Sequence, residues 1–259
     1  MNSLALVSGA TSGIGKAFAE RLAADGYNLL LVGRQQNRME EFAAAHPQVD
    51  VRSMAIDLSS VDGVNAVAEV CVREPLSMLV NCAGVSHYMP LAELPADKAL
   101  ELVMVKVLAP TMLSRAVVPG MIVRREGAII NVAGMIAFSG PAPASVMPRR
   151  AIYAGALAYL VAMSQTLSAE LENTGVKVQA LCPGVVATEF HERQGIDMSK
   201  VPRMSADDVV TASLRGLEEG EVVTAPGVED ANLLDAIFRA DLAAFGGQSP
   251  ALATRYRAR

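Results

Sequence analysis

Among the residue types and spacings in this chain, the segment Ser8-Gly9-Ala10-Thr11-Ser12-Gly13-Ile14-Gly15 specifies a ligand most directly. Glycines at 9, 13 and 15 let the chain turn tightly and let its backbone approach a pyrophosphate. The helix that opens there adds N–H donors and the positive end of its dipole. The plainer alternative is a glycine turn needed only for packing. A second signal follows the next apolar run, where Val32-Gly33-Arg34 is succeeded by Arg38 one turn on. An acidic residue at that point binds a ribose 2′-hydroxyl, whereas an arginine forks onto a 2′-phosphate and keeps its charge. The expected cofactor is therefore NADP(H), with NAD(H) as the lesser alternative. Arg34 as a mere solvated charge is the other reading.

These groups need a scaffold, and the hydrophobic pattern supplies one. Short apolar runs at Leu4–Ser8, Asn28–Val32, Val51–Ala55, Met78–Asn81, Ala128–Val132, Lys177–Leu181 and Glu221–Thr224 predict strands. Most are continuous, as expected where both faces of a sheet are covered. Helical periodicity lies between them, near 14–25, 37–45, 61–73, 98–124, 151–173 and 207–218. Such alternation implies an α/β fold: a single Rossmann-type, doubly wound domain over 1–259, with a mostly parallel seven-stranded sheet and helices on both faces. Two segments break the rhythm, Phe138–Arg150 and Thr188–Met204. Both fall at carboxyl ends of strands, where open α/β sheets bind ligands, and 188–204 reads as a substrate lid. Residues 225–259 read as a C-terminal extension with one helix at 231–243.

Composition narrows the function classes. The chain has 259 residues, 52% of them hydrophobic, and a net charge of -5. That charge argues against a nucleic-acid partner. Cys71, Cys82 and Cys182 lack metal or disulfide spacing, and His46, His87 and His191 have no partner spacing, so no metal is expected. No uninterrupted run approaches the ~20 apolar residues that span a bilayer. No membrane partner and a cytoplasmic location are expected. Met135, Met147, Met198 and Met204 cluster near the loop and lid and suggest an adaptable apolar pocket for a small-molecule substrate.

At this point the motifs resemble the short-chain dehydrogenase/reductase family, and are similar to its NADPH-preferring bacterial members, from about Leu4 to Thr224. Ser8–Gly15 resembles the family's TGxxxGIG turn, which implies coenzyme contacts from Gly9, Thr11, Ser12, Gly13, Ile14 and Gly15. Asp57-Leu58 matches the pair that meets adenine. Asn81-Cys82-Ala83-Gly84 matches the NNAG segment, implying Asn81, Ala83 and Gly84. Pro183-Gly184, with Val186 and Thr188, matches the turn around the nicotinamide. The resemblance also implies dimers or tetramers through helices 98–124 and 151–173.

The resemblance places Tyr153 at the family's proton-transferring Tyr and in the coenzyme site. It places Gly134 at the family's Ser, Leu157 at its Lys and Lys106 at its Asn, with a lengthened loop between Gly134 and Tyr153. A lone phenol titrates near ~10 and is a poor base at neutral pH unless a cation favours its phenolate. One reading moves the lysine to the neighbouring helix, so that Lys106 restores the pair with Tyr153. The other makes Lys106 a tolerated substitution. Ser139, or Ser145, stands in for the missing hydroxyl, with Ser139 nearer the strand end. Arg149 and Arg150 are alternative cations, substrate clamps, or a solvated helix start. Three functions stay open: an NADP(H)-dependent oxidoreductase acting on a carbonyl or secondary alcohol, a non-redox enzyme on the same fold, and a catalytically silent nucleotide-binding subunit.

Overall fold

Strand positions follow the apolar runs closely in the computed structural model, which describes residues 3–143, 145, 147–198 and 200–257. The strands are β1 (Leu4–Ser8), β2 (Asn28–Gly33), β3 (Val51–Ala55), β4 (Leu76–Asn81), β5 (Gly127–Val132), β6 (Val176–Leu181) and β7 (Val223–Thr224). They form one sheet in the order β3-β2-β1-β4-β5-β6-β7, every pair parallel. Helices α1 (Gly13–Ala24), α2 (Gln36–Ala45), α3 (Val61–Arg73), α4 (Ala96–Val103), α5 (Ala109–Arg124), α6 (Ala151–Glu170) and α7 (Ala206–Glu219) connect them. The contacts divide the chain into two units, 1–226 and 227–259. The sequence reads as one domain with an extension, whereas the contacts set 227–259 apart as a unit of its own. That unit carries α8 (Asn232–Gly246) and contributes no strand among the described residues.

The continuous apolar runs are explained by two cores. Ala5, Val7, Leu29, Leu31, Val80 and Ile130 share one with Phe18, Leu22 and Val209 of α1 and α7. Leu6, Leu30, Val32, Leu79 and Ile129 share the other with Val67, Leu113 and Met121 of α3 and α5. Alternate residues of each strand thus face opposite helical layers, so both faces are largely apolar and the few buried polar residues on strands, such as Ser8, Asn81, Asn131 and Gln179, are hydrogen-bonded inside.

Three of the differences from the sequence reading have a clear local cause. β7 is shorter at its start, because Gly220 takes a left-handed conformation and the Glu221 N–H turns back to the Gly216 carbonyl. α6 stops at Glu170, ahead of Asn173 and Gly175, both at positive φ. The long middle helix is divided: a π-turn, Met104–Leu108, separates α4 from α5. Pro110 has no N–H to offer the Lys106 carbonyl four residues back, and the ladder widens at that point. This widening falls on the residue that the sequence singled out. By length and composition alone Ala96–Arg124 and Ala151–Glu170 are long and apolar enough to cross a membrane, although neither is an uninterrupted apolar run. Both pack against strands of the sheet.

β1 is flanked by β2 on one side and β4 on the other, so the order reverses between β1 and β4. The glycine turn and residues 82–84 leave the sheet at that switch point. Ser8 joins them: its Oγ accepts the Cys82 and Ala83 N–H groups at 3.0 and 3.1 Å and donates to the Val80 carbonyl. A Cβ at Gly15 would overlap the Gly9 carbonyl oxygen, which is backbone and cannot rotate away. Gly15→Ala is therefore expected to destabilise the fold by about 1–3 kcal/mol, read as a lowered urea midpoint at unchanged m-value.

Candidate active site and coenzyme cleft

One cavity of about 740 Å³ contains both the glycine turn and Tyr153. Its walls include Gly9, Thr11, Ser12, Gly13, Ile14 and Gly15 at one side, and Arg34, Asp57 and Leu58 beyond them. Ser12, the N-cap of α1, makes no side-chain cap bond, and the first turn has no acidic residue. The first N–H groups of α1 thus keep their capacity for an anion. At the far wall Asp57 accepts the Ser59 N–H at 2.9 Å. Burial works against its carboxylate, but the Ser59 bonds and the Arg34 charge outweigh it and hold its pKa below the ordinary range. Ala83, Gly84, Pro183, Gly184, Val186 and Thr188 complete the walls expected from sequence.

Asn81 is a correction to the expected coenzyme contacts. It is buried away from the cavity, and its amide donates to Asn131 Oδ1 at 2.8 Å and Ser114 Oγ at 3.4 Å. Asn131 in turn donates to Ser164, so this amide chain ties β4, β5, α5 and α6 together. Its amide N–H groups are taken up by the scaffold.

Tyr153 and Lys106 both face the cavity, at 7% and 4% exposure. Tyr153 comes from the first turn of α6 and Lys106 from the π-turn, and these two elements pack together. The Lys106 ammonium donates to the Val132 carbonyl at 3.2 Å. Its tip lies so close to Gly84 that a Cβ there would meet Nζ at 2.7 Å. Burial lowers its pKa, and only the Cys82 thiol works the other way. Burial also pushes the Tyr153 phenol far above its ordinary value, with Tyr88 adding to the shift. Leu157 is fully buried, and a Cβ at Gly134 would touch its Cδ1 at 3.4 Å. Carbon therefore occupies the Leu157 position, and the amine reaches the cavity from the other helix.

The lengthened loop is held by Arg150. This side chain is 8% exposed, so it is no solvated helix start. Its guanidinium donates to Ser139 Oγ, to the Ser139 carbonyl and to the Pro148 carbonyl. Ser139 lines the cavity, but its hydroxyl donates to the Ile136 carbonyl at 2.7 Å and accepts from Arg150. The single proton of Ser139 is thus spent inside the loop, which leaves its hydroxyl only as an acceptor. Ser145 is exposed and Arg149 is exposed.

Sequence reasoning missed Tyr88. Its ring meets Tyr153 edge-on, centroids 5.4 Å apart, and stacks near His191 at 6.3 Å. Phe190 and His191 of the 188–204 segment line the cavity with Ile196, Met198 and Val201. Met135 and Met147 line it as well, whereas Met204 is drawn into a backbone bridge with Val186. His87 turns away to Glu101 at 3.3 Å. The one signal for Tyr88 was its closeness to Gly84, which is weak without knowing how residues 85–90 fold.

Comparisons with known proteins bear on the family and the fold. The family model described as short chain dehydrogenase matches residues 3–198. The chain belongs to the short-chain dehydrogenase/reductase family. It is 34% identical over 211 residues to a very-long-chain 3-oxoacyl-CoA reductase of Pyrenophora tritici-repentis, covering 78% of this chain and 58% of that protein. The chain thus spans less than two thirds of that relative's length. Among solved structures it is similar to a short-chain dehydrogenase from Sphingobium yanoikuyae in complex with NADPH, with TM-score 0.92, 30% identity, and 98% and 100% of the two chains covered. It is also similar to the bulky-bulky ketone specific alcohol dehydrogenase from Comamonas testosteroni, with TM-score 0.87, 28% identity and 98% of each chain covered.

Proposed function

We propose that this chain is an NADP(H)-dependent oxidoreductase that interconverts an apolar ketone and its secondary alcohol, with Tyr153 and Lys106 as its catalytic pair. The observation that carries this reading is the single cavity shared by the glycine turn, Arg34, Tyr153 and Lys106. The residues fit the coenzyme: uncapped N–H groups for the pyrophosphate, Arg34 for a 2′-phosphate, and glycines where a side chain would fill the cradle. Bound there, NADPH supplies a hydride from nicotinamide C4 to the carbonyl carbon. Tyr153 gives its phenolic proton to the carbonyl oxygen. Lys106, whose tip lies against Gly84 in the wall of the same cavity, would favour the phenolate that remains. Arg150 acts at one remove, fixing the 138–150 loop from which α6 presents Tyr153.

The substrate reading is a ketone carrying bulky apolar groups on both sides. Met135, Ile136, Met147, Met198 and Val201 supply apolar, adaptable walls. The similarity to the Comamonas enzyme supports the same class.

The test is calorimetric binding of NADPH and NADH, followed by nicotinamide absorbance over a panel of ketones and secondary alcohols. Arg34→Ala is expected to weaken NADPH binding about 10- to 100-fold and NADH binding far less, the loss of a charge-assisted pair. Binding without turnover across the panel would instead identify a nucleotide-holding subunit.

A further inference from the structure

A clasp of charged side chains lies beside the dinucleotide cleft, joined to it through Thr11 and Thr188 of its wall. Arg38, on α2, reaches back to the glycine turn, where Nη1 donates to the Thr11 carbonyl at 3.2 Å. The same nitrogen lies 3.5 Å from Glu189 Oε2, a residue 151 positions away. Glu189 is also held by Arg193 one turn further on. Its neighbour Thr188 lies against Gly13, where a Cβ would meet Thr188 Cγ2 at 3.1 Å. The segment after β6 therefore passes over the glycine turn and is tied to the helix after β2. Thr11 also touches Gly33, whose Cβ would lie 3.2 Å from Thr11 Cγ2. Arg38, Thr11 and Gly33 thus form the corner beside Arg34, where the proposed 2′-phosphate would sit.

We propose that Glu189 is a coenzyme-specificity residue: its carboxylate competes with the ribose 2′-phosphate for Arg38. This rests on the reading of the cleft as an NADP(H) site. The guanidinium has one charge to share between two anions. A doubly charged phosphate at that corner draws Arg38 from Glu189, while Glu189 itself repels the phosphate. A coenzyme without the phosphate leaves the clasp closed. Glu189 therefore lowers the preference for the phosphorylated coenzyme below what Arg34 and Arg38 alone would give. The Glu189 and Arg38 side chains are 51% and 44% exposed, so the effect is modest and falls with salt.

The experiment uses the full chain and calorimetric affinities for two pairs of ligands, NADPH against NADH and 2′-phospho-ADP-ribose against ADP-ribose. The second pair lacks the nicotinamide, so its readout is independent of turnover. Glu189→Gln is expected to raise the ratio of phosphorylated to unphosphorylated affinity about three- to fivefold at low salt in both pairs. In an Arg38→Met background the same substitution is expected to leave the ratio unchanged, because its effect passes through Arg38. A ratio that stays constant on Glu189→Gln in the otherwise unaltered chain, with NADPH still bound, overturns the inference alone. An equal rise in the Arg38→Met background also overturns it. Failure of the unaltered chain to bind any of the four ligands overturns the coenzyme reading together with it.

Discussion

Tyr153→Phe is expected to lower kcat for ketone reduction by about 10²–10⁴-fold, the range for losing a general acid, while NADPH affinity stays within about twofold. The change removes one oxygen and leaves the ring that packs edge-on against Tyr88. Fold and coenzyme cleft are thus preserved, and the loss falls on proton transfer. The direction of the pKa shift adds a second expectation. Burial, reinforced by Tyr88, pushes the phenol above its ordinary value, so it is protonated throughout the neutral range. That is the form needed to donate a proton, so reduction should be nearly level from about pH 6 to 8. Alcohol oxidation needs the phenolate and should climb with pH across that range and beyond. Initial rates in both directions from about pH 6 to 10 check this. A Tyr153→Phe protein that keeps more than about one tenth of the activity would remove Tyr153 from the proposed mechanism.

The scaffold was legible because each strand obeys a rule acting on its own residues. Leu4–Val7 and Ile129–Ile130 are apolar at consecutive positions since helices cover both faces, and glycines mark the turn that follows β1. The glycine-turn end of the cavity was legible for the same reason, as Gly9–Gly15 and Arg34 follow directly on their own strands and reach its wall from there. The other end depends on contacts between distant segments. Nothing local tells that Arg150 will bury itself in the Ser139 turn, or that Asn81 will spend its amide on Asn131 and Ser114. Tyr88 becomes a wall of the cavity only because residues 85–90 bring it to α6. The π-turn at Lys106 was hidden differently. Pro110 marks it in the sequence, but a proline near a helix start is ordinarily harmless, and only a helix running through that point makes its missing N–H matter.

Lys106→Met is expected to make the protein more stable and less active. The ammonium is almost wholly buried, its hydrogen bond goes to one carbonyl, and no carboxylate pairs with it among the residues described. A buried charge so weakly compensated costs stability, and a thioether of similar length fills the same space, so a gain of about 1–3 kcal/mol is expected. The pH dependence has a defined sign. Burial lowers the folded-state pKa below the ordinary 10.5, so the unfolded chain binds the proton more tightly. The penalty is full below the folded-state pKa and is relieved as pH rises from there toward 10.5. Stability of the unaltered protein should therefore gain from rising pH in that window, and the methionine substitution should abolish that gain. Urea unfolding of both proteins at several pH values measures the slope. Activity should move the other way, with kcat/KM falling about 10²–10³-fold, because nothing else within the π-turn offers a cation to the phenolate. Leu157 cannot compensate, since its carbon side chain is already packed beneath Gly134. Normal turnover after Lys106→Met would mean that Lys106 is only a tolerated substitution, and the catalytic pair would have to be sought elsewhere in the cavity.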